Sequence, residues 1–440
     1  MRVSLAKTSI HLLAISVCLA ALTLFAAGKA AASAGGLDRS FASHGTRNIT
    51  DALPGSVTER AVQAIALAKD GSQFIVIRDN ETCAAGPCSS LFVSKLGPSG
   101  ALDPGFSASP IPTTPAPFTE VGEAKPILAL DPAGGIYVAG ALGSSLNVTH
   151  LAADGSRDPA FGIGGTASAA IGRAVVARAL LVKPGGAILL AGTISKNAPG
   201  EPAREPEMVL AQFQPNGLPD PSFAGGALSS QLIGPHRQVS NLLGFRGGLL
   251  AGTSAPGEVL RLSQKGALKG SAPELILKRD WGPGAAISAL IARGRGLLVV
   301  GTTWKGTFVE ALGPDLGLNR DFGSAGTSFL PGFRVNPAHN AILDRRDRLL
   351  LAGSVPVKPQ DGASAEGSGV GVLRLTRNGH LDRSFADGRQ HPRLVSEDSR
   401  AIGIGLQPGN RILVLVDRGY VCFRDCPSRD SYVLERLWGR

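Results

Sequence analysis

Residues 378–388 read NGHLDRSFADG, and residues 35–45 read GGLDRSFASHG. A chain that writes nearly the same stretch at both ends is repetitive, and the repeat decides its architecture. Working outward, related segments are GALDPGF from Gly100, GSRDPAF from Gly155, GLPDPSF from Gly217 and GLNRDF from Gly317. A weak copy, GALKGSA, starts at Gly266, with Lys269 for the aspartate and Ala272 for the phenylalanine. The copies align on Asp38, Asp103, Asp158, Asp220, Lys269, Asn319 and Asp382.

Two further elements recur between these turns. One is a pair of short apolar stretches around a Gly- or Asp-containing turn, as in ILALDPAGGIYVAG from Ile127, ALLVKPGGAILLAG from Ala179 and AILDRRDRLLLAG from Ala341. That is the pattern of a β-hairpin. The other is a strand leading into each turn, as in LFVSKL from Leu91, VLAQFQ from Val209 and VGVLRL from Val370. Each unit therefore predicts about four short strands in about 58 residues. One such sheet is marginal alone, and stacked sheets share a core.

The residue types suggest roles. An aspartate after the glycine can accept bonds from its own following backbone and nucleate a turn. This applies to Asp38, Asp103, Asp158, Asp220 and Asp382, with Asn319 able to do the same. The phenylalanine three residues on is expected to bury its ring between neighbouring units, at Phe41, Phe106, Phe161, Phe223, Phe322 and Phe385.

The chain starts with a turn motif and its following strand, Gly36 to Thr50, and ends on the strand that normally precedes such a motif, Tyr432 to Leu437. The expected fold is all-β: a β-propeller of seven blades of about four antiparallel strands, closed by the N-terminal strand joining the last blade.

The first residues read as an export signal. Arg2 and Lys7 precede the uncharged run LLAISVCLAALTLFAA from Leu12, and ASA at Ala32–Ala34 offers small residues for cleavage. Residues 1–34 are thus expected to be removed, leaving a single repeat domain, 35–440. A retained membrane anchor is the alternative, disfavoured because the apolar run is short for a span. Cleavage lowers the formal charge from +10 to +7. Charges are scattered, with no arginine-rich arm or basic–aromatic stripe, so nucleic acid is not an expected partner. No later stretch reads as a spanning helix, so no integral membrane domain is expected in the mature chain, and a monomer is expected.

Export permits disulfides. Cys18 lies in the signal, leaving Cys83 and Cys88 in CAAGPC and Cys422 and Cys426 in CFRDC. The two loops occupy the same place in the first and last units. Local pairs within each loop are preferred, cross-blade bonds stay open, and neither spacing is that of a structural zinc site.

These motifs resemble the delta-sixty repeat family, whose pattern is similar to DG-x-L-D-x-x-F-G-x-x-G after a strand ending in arginine or lysine plus leucine. SKLGPSGALDPGF from Ser94, LAADGSRDPAF from Leu151 and RLTRNGHLDRSFADG from Arg374 carry the resemblance. It spans Gly35 to Arg440 and is weak around Gly266. It implies a β-propeller of extracellular or envelope proteins and supplies no catalytic residues.

Chemistry-bearing motifs are sparse. The histidines are dispersed, there is no HExxH, no G-x-S-x-G elbow, no P-loop and no dinucleotide fingerprint. His44 and His380 lie near turn motifs and read as solvated turn residues. The repeated aspartates lack the dense oxygen ligands of a calcium loop. No cofactor, metal or catalytic residue is expected. Trp281 and Trp304 fall in the least regular part of the repeat, where they could line a ligand rim, and Trp438 closes the last strand. Asn48 and Asn147 sit in N-x-T sequences, which matter only in a eukaryotic secretory route. The leading expectation is a non-catalytic protein, secreted or in a bacterial periplasm, presenting a rim to an extracytoplasmic protein or glycan. The alternative is a propeller hydrolase or lyase with its active site in the central channel.

Overall fold

The computed structural model describes residues 33–50, 53, 60–83, 86–113, 127–194, 207–232, 238–254, 257–268, 281–282, 284–335, 340–357, 367–385, 393–396, 399–418 and 431–439. Residues 1–32 of the expected signal and the weak turn copy at Lys269 fall outside these residues.

Among the described residues every element is a strand. β1 (Thr46–Asn48) comes first. β2 (Arg60–Leu67), β3 (Gln73–Cys83), β4 (Gly86–Leu96) and β5 (Ile111–Thr113) form an antiparallel sheet in that order. So do β6 (Ile127–Leu130), β7 (Ile136–Leu142), β8 (Ser145–Leu151) and β9 (Thr166–Ala170). The next sheet is β10 (Val175–Val182), β11 (Ile188–Ile194), β12 (Glu207–Phe213) and β13 (Leu228–Leu232).

The fourth sheet is larger. It contains β14 (Gln238–Phe245), β15 (Gly248–Ser254), β16 (Val259–Leu262), β17 (Ala286–Arg293), β18 (Gly296–Thr303), β19 (Gly306–Leu312) and β20 (Thr327–Pro331). The fifth holds β21 (Arg334–Val335), β22 (Ala341–Leu343), β23 (Leu349–Val357), β24 (Gly367–Leu375) and β25 (Arg393–Ser396). The last holds β26 (Ser399–Gln407), β27 (Arg411–Arg418) and β28 (Ser431–Trp438), with β1 on the outer edge of β28.

The second and third strands of each unit are covered on both faces, which is why they read as near-continuous apolar runs rather than alternating ones. All seven residues of β11, ILLAGTI, are buried. Cores lie between consecutive sheets. Leu189, Leu210 and Phe223 of the third unit pack with Val239, Leu249 and Leu260 of the next. The last and first sheets meet in the same way, through Phe41, Leu413 and Leu434 against Val62, Ile75 and Leu96. The sheets are thus arranged like those of a propeller, each packed on the next.

This topology corrects the expectation of a closed seven-bladed propeller. Among the described residues the strands make six sheets, and none is closed by hydrogen bonds. Seven hairpin units are reduced to six sheets because β15 runs on to pair with β17 at one position, Ser254 opposite Ala286, fusing two units into a seven-stranded sheet. The N-terminal strand does pair with the last one, Thr46 opposite Glu435 and Asn48 opposite Val433.

Candidate functional site

The turn motifs share one geometry. The motif's Asp or Asn donates its N–H to a carbonyl on the preceding strand: Asp103 to Lys95, Asp158 to His150, Asp220 to Gln212, Asn319 to Ala311 and Asp382 to Arg374. Its Oδ1 accepts the N–H two residues on, from Ser40, Gly105, Ala160, Ser222, Asp321 and Ser384 at 2.9–3.2 Å. The N–H of each motif phenylalanine, from Phe41 to Phe385, donates to the carbonyl of that same Asp or Asn. Asp38 makes the equivalent strand bond across the termini, to Arg436.

The second carboxylate oxygen reaches the side chain eight residues earlier. Lys95 lies 3.0 Å from Asp103, His150 Nδ1 2.9 Å from Asp158, Gln212 Nε2 2.6 Å from Asp220 and Arg374 Nε 2.7 Å from Asp382. For Asp38 the counterpart is Arg436 at 2.9 Å, joined by Arg411 at 2.6 Å. Where the aspartate is Asn319, the partner position is Ala311, so charge is lost from both together. Reading the sequence missed this partner, although Lys95, His150, Gln212 and Arg374 each stand just before the last residue of the preceding apolar strand.

The rings interlock neighbouring units. Phe41, Phe161, Phe223, Phe322 and Phe385 are buried, while Phe106 is partly buried and meets Phe74 edge-on at 5.6 Å. A Cβ on Gly379, the next unit's turn glycine, would come within 2.6 Å of the Phe322 ring. Its φ of +80° also suits glycine.

These carboxylates are held in the ionised form. Burial raises Asp38 and Asp382, but hydrogen bonds from Ser40 and Ser384 and the charges of Arg436 and Arg374 outweigh it, leaving both below the ordinary value. Asp103 is lowered by Lys95, Asp158 by the Ala160 N–H and His150, and Asp220 by Ser222 and Gln212. A general acid needs the opposite shift.

His150, expected to stand alone, bridges Asp158 and Asp131, the latter at 3.1 Å, and stacks on Tyr137 at 4.4 Å. It fills the place that Arg374 fills elsewhere. His44 and His380 are exposed in turns. Cys422 and Cys426 lie outside the described residues. The backbone sets Cys83 opposite Gly86 and Cys88 opposite Glu81. Among the described residues no group of three His, Cys, Asp or Glu could hold a metal ion.

The pattern breaks in one sector, between the β14–β16 and β17–β20 units. Lys269 and Ala272 replace the motif's carboxylate and ring. In the next unit Leu316, at φ +63°, stands where Gly379 stands, and is itself buried. Beside it is a cavity of about 290 Å³, lined by Phe245, Leu249, Leu250 and Leu316 with Arg246, Arg261 and Asp315 among the polar walls. At the far end of β19, on the β18–β19 hairpin, Trp304 is 77% exposed, with the Lys305 ammonium 4.9 Å from its ring. Phe329, on the edge strand β20, is 40% exposed. It pairs across from buried Phe308, and Trp281 stacks on both rings, its Nε1 donating to Glu310 at 2.8 Å. Trp438 instead packs under the Arg411 guanidinium at 4.3 Å.

No protein-family profile and no curated protein matches the chain. It is similar to several solved structures. "Structure of Dos1 propeller" matches at 9% identity and TM-score 0.43, over 89% of this chain and 93% of that one. An acylaminoacyl peptidase of Pyrococcus horikoshii matches at 7% identity and TM-score 0.44, over 87% and 53%. The AfRom2 CNH domain matches at 10% identity and TM-score 0.39, over 86% and 94%. Among the described residues no helix is long and apolar enough to cross a membrane.

Proposed function

We propose that the protein is a non-catalytic, exported recognition protein of the delta-sixty repeat type, acting in the bacterial envelope or outside it. The turn motifs build a stiff scaffold whose charges satisfy one another. Its contact face is the rim of the irregular sector, toward an extracytoplasmic protein or glycan. The observation that carries this reading is Trp304: a large ring held in solvent at a hairpin tip, next to an edge strand that also exposes Phe329. Exposed aromatics set on rigid strands are a common means of recognition.

The test is a titration of the purified mature chain with envelope oligosaccharides and envelope proteins, read by intrinsic fluorescence. Trp304→Ala is expected to abolish binding without changing the unfolding midpoint. A ligand bound equally well by Trp304→Ala, or turned over by the protein, would sink the reading.

A further inference from the structure

We propose that the arginine-rich turns between β17 and β25 dock on an anionic phospholipid surface. Charges that are scattered along the sequence are gathered there by the fold. The β17–β18 hairpin, the turn after β19, the β22–β23 hairpin and the turn after β24 meet at one end of their sheets. Arg293 Nη1 donates to the Arg377 carbonyl at 2.8 Å, and its guanidinium lies 5.3 Å from the Phe322 ring. The Gly323 N–H donates to the Asn378 carbonyl at 2.7 Å. Arg377 lies 3.9 Å from Asp347, and Arg348 lies 3.4 Å from Asp382.

Residues 293–295, 313–326, 344–348 and 376–385, which make these turns, hold eight arginines, five aspartates and no lysine or glutamate, a net charge of +3. The equivalent turns of the first three units, 68–72, 97–106, 131–135, 152–165, 183–187 and 214–227, hold three basic and six acidic residues, a net charge of −3. One set of turns is basic and the other acidic, although both follow one repeat. Asp344 and Asp382 are buried against Arg348 and Arg374, each at 2.7 Å. Arg295, Arg320, Arg345, Arg346, Arg377 and Arg383 are exposed. Guanidinium forks suit phosphate oxygens, which they can bind two at a time. These forks stand on separate turn tips, so a layer of headgroups engages more of them at once than a compact anion does. Among the described residues none of the large exposed apolar side chains lies in these turns. The contact is therefore electrostatic, without the ring that stacking on a nucleic-acid base needs. Trp304 is at the opposite end of β19, so docking here leaves it facing away from the bilayer.

The experiment is sedimentation of the mature chain with vesicles of phosphatidylcholine, with and without phosphatidylglycerol. Binding is expected only where phosphatidylglycerol is present, and added salt should release it. Arg345→Gln together with Arg346→Gln should weaken partitioning about 25-fold, roughly fivefold for each charge removed. Arg295→Gln together with Arg383→Gln, from two other turns, should do the same and keeps the test decisive if the first pair fails to fold. Lys69→Gln, at the corresponding hairpin of the first unit, and Trp304→Ala should leave partitioning unchanged, which separates this face from the recognition rim. Equal binding to both vesicle types, or a loss with Lys69→Gln as large as with the arginine pairs, would overturn the proposal. Soluble polyphosphate that strips the chain from vesicles at equal phosphate concentration would overturn it too, by assigning the face to a soluble polyanion.

Discussion

Arg436, two residues before the end of β28, places its Nε 2.9 Å from Oδ2 of Asp38, a residue from the other end of the chain. Arg411 approaches the same oxygen at 2.6 Å, and Leu437 bridges Leu37 beside them. The five other described turn motifs take their preceding strand from the adjacent sequence; this one takes it from the far end of the chain. Deleting residues 35–50 removes β1 and leaves two arginines without their carboxylate, a loss on the order of 3–5 kcal/mol. A clear fall in the unfolding midpoint is expected, with hydrogen-exchange protection lost first in β28. Unchanged cooperative unfolding would show that the terminal pairing contributes nothing.

The Arg374–Asp382 pair tests how the turn motif is held. Arg374 is fully buried and also donates to the Gly439 carbonyl at 2.9 Å and to Ser384 at 3.2 Å. Asp382→Ala should destabilise by about 3–5 kcal/mol, because a buried charge loses its partner. The double variant Asp382→Ala with Arg374→Met should cost less than the two single changes added together. Additive losses in a denaturant double-mutant cycle would mean that the two side chains do not act as a unit.

Acid should weaken the fold through these same turns. Asp38, Asp103, Asp158, Asp220 and Asp382 all lie below the ordinary aspartate value of 3.8 in the folded chain. Carboxylates with lowered folded values contribute stability that is present above that ordinary value and is lost as pH falls through the folded values. Stability should therefore hold down to about pH 4 and then decline as the pH falls further. Asp382→Asn, which cannot titrate, should show a shallower decline. A profile that begins to fall well above pH 5 would assign acid sensitivity to other groups.

Within an exported chain the cysteines are expected to pair locally, Cys83 with Cys88 and Cys422 with Cys426. Peptide mapping without reductant should recover each pair as one linked fragment. A fragment joining Cys83 or Cys88 to Cys422 or Cys426 would replace the two staples with a bond between the first and last units.

Much of the architecture was legible because it is local and repeated. The apolar strand pairs, the strand leading into each turn, and the Asp-to-Phe spacing are set by period-2 patterning and turn chemistry. The sheet count was not. A single pair, Ser254 with Ala286, merges two units, and nothing in either residue announces that contact. The motif's side-chain partner was hidden for a different reason. Lysine, histidine, glutamine and arginine each serve at that position, so the conserved feature is a bond and not a residue type. Leu316 was equally hard to foresee, since a leucine at positive φ runs against local preference. The exposure of Trp304 depends on hairpin registry, which the repeat predicts only coarsely.

Phe41 reaches Gly100 of the first unit, while Asp38 and β1 belong to the last sheet. The strand β1 therefore has no completed place to go when it is made. Its strand partner, β28, follows it by more than 380 residues. β1 must therefore stay unpaired until β28 has been made, and only then can it dock. A chain truncated near its C-terminus would keep that strand permanently exposed, giving quality-control proteases a ready handle on incomplete molecules.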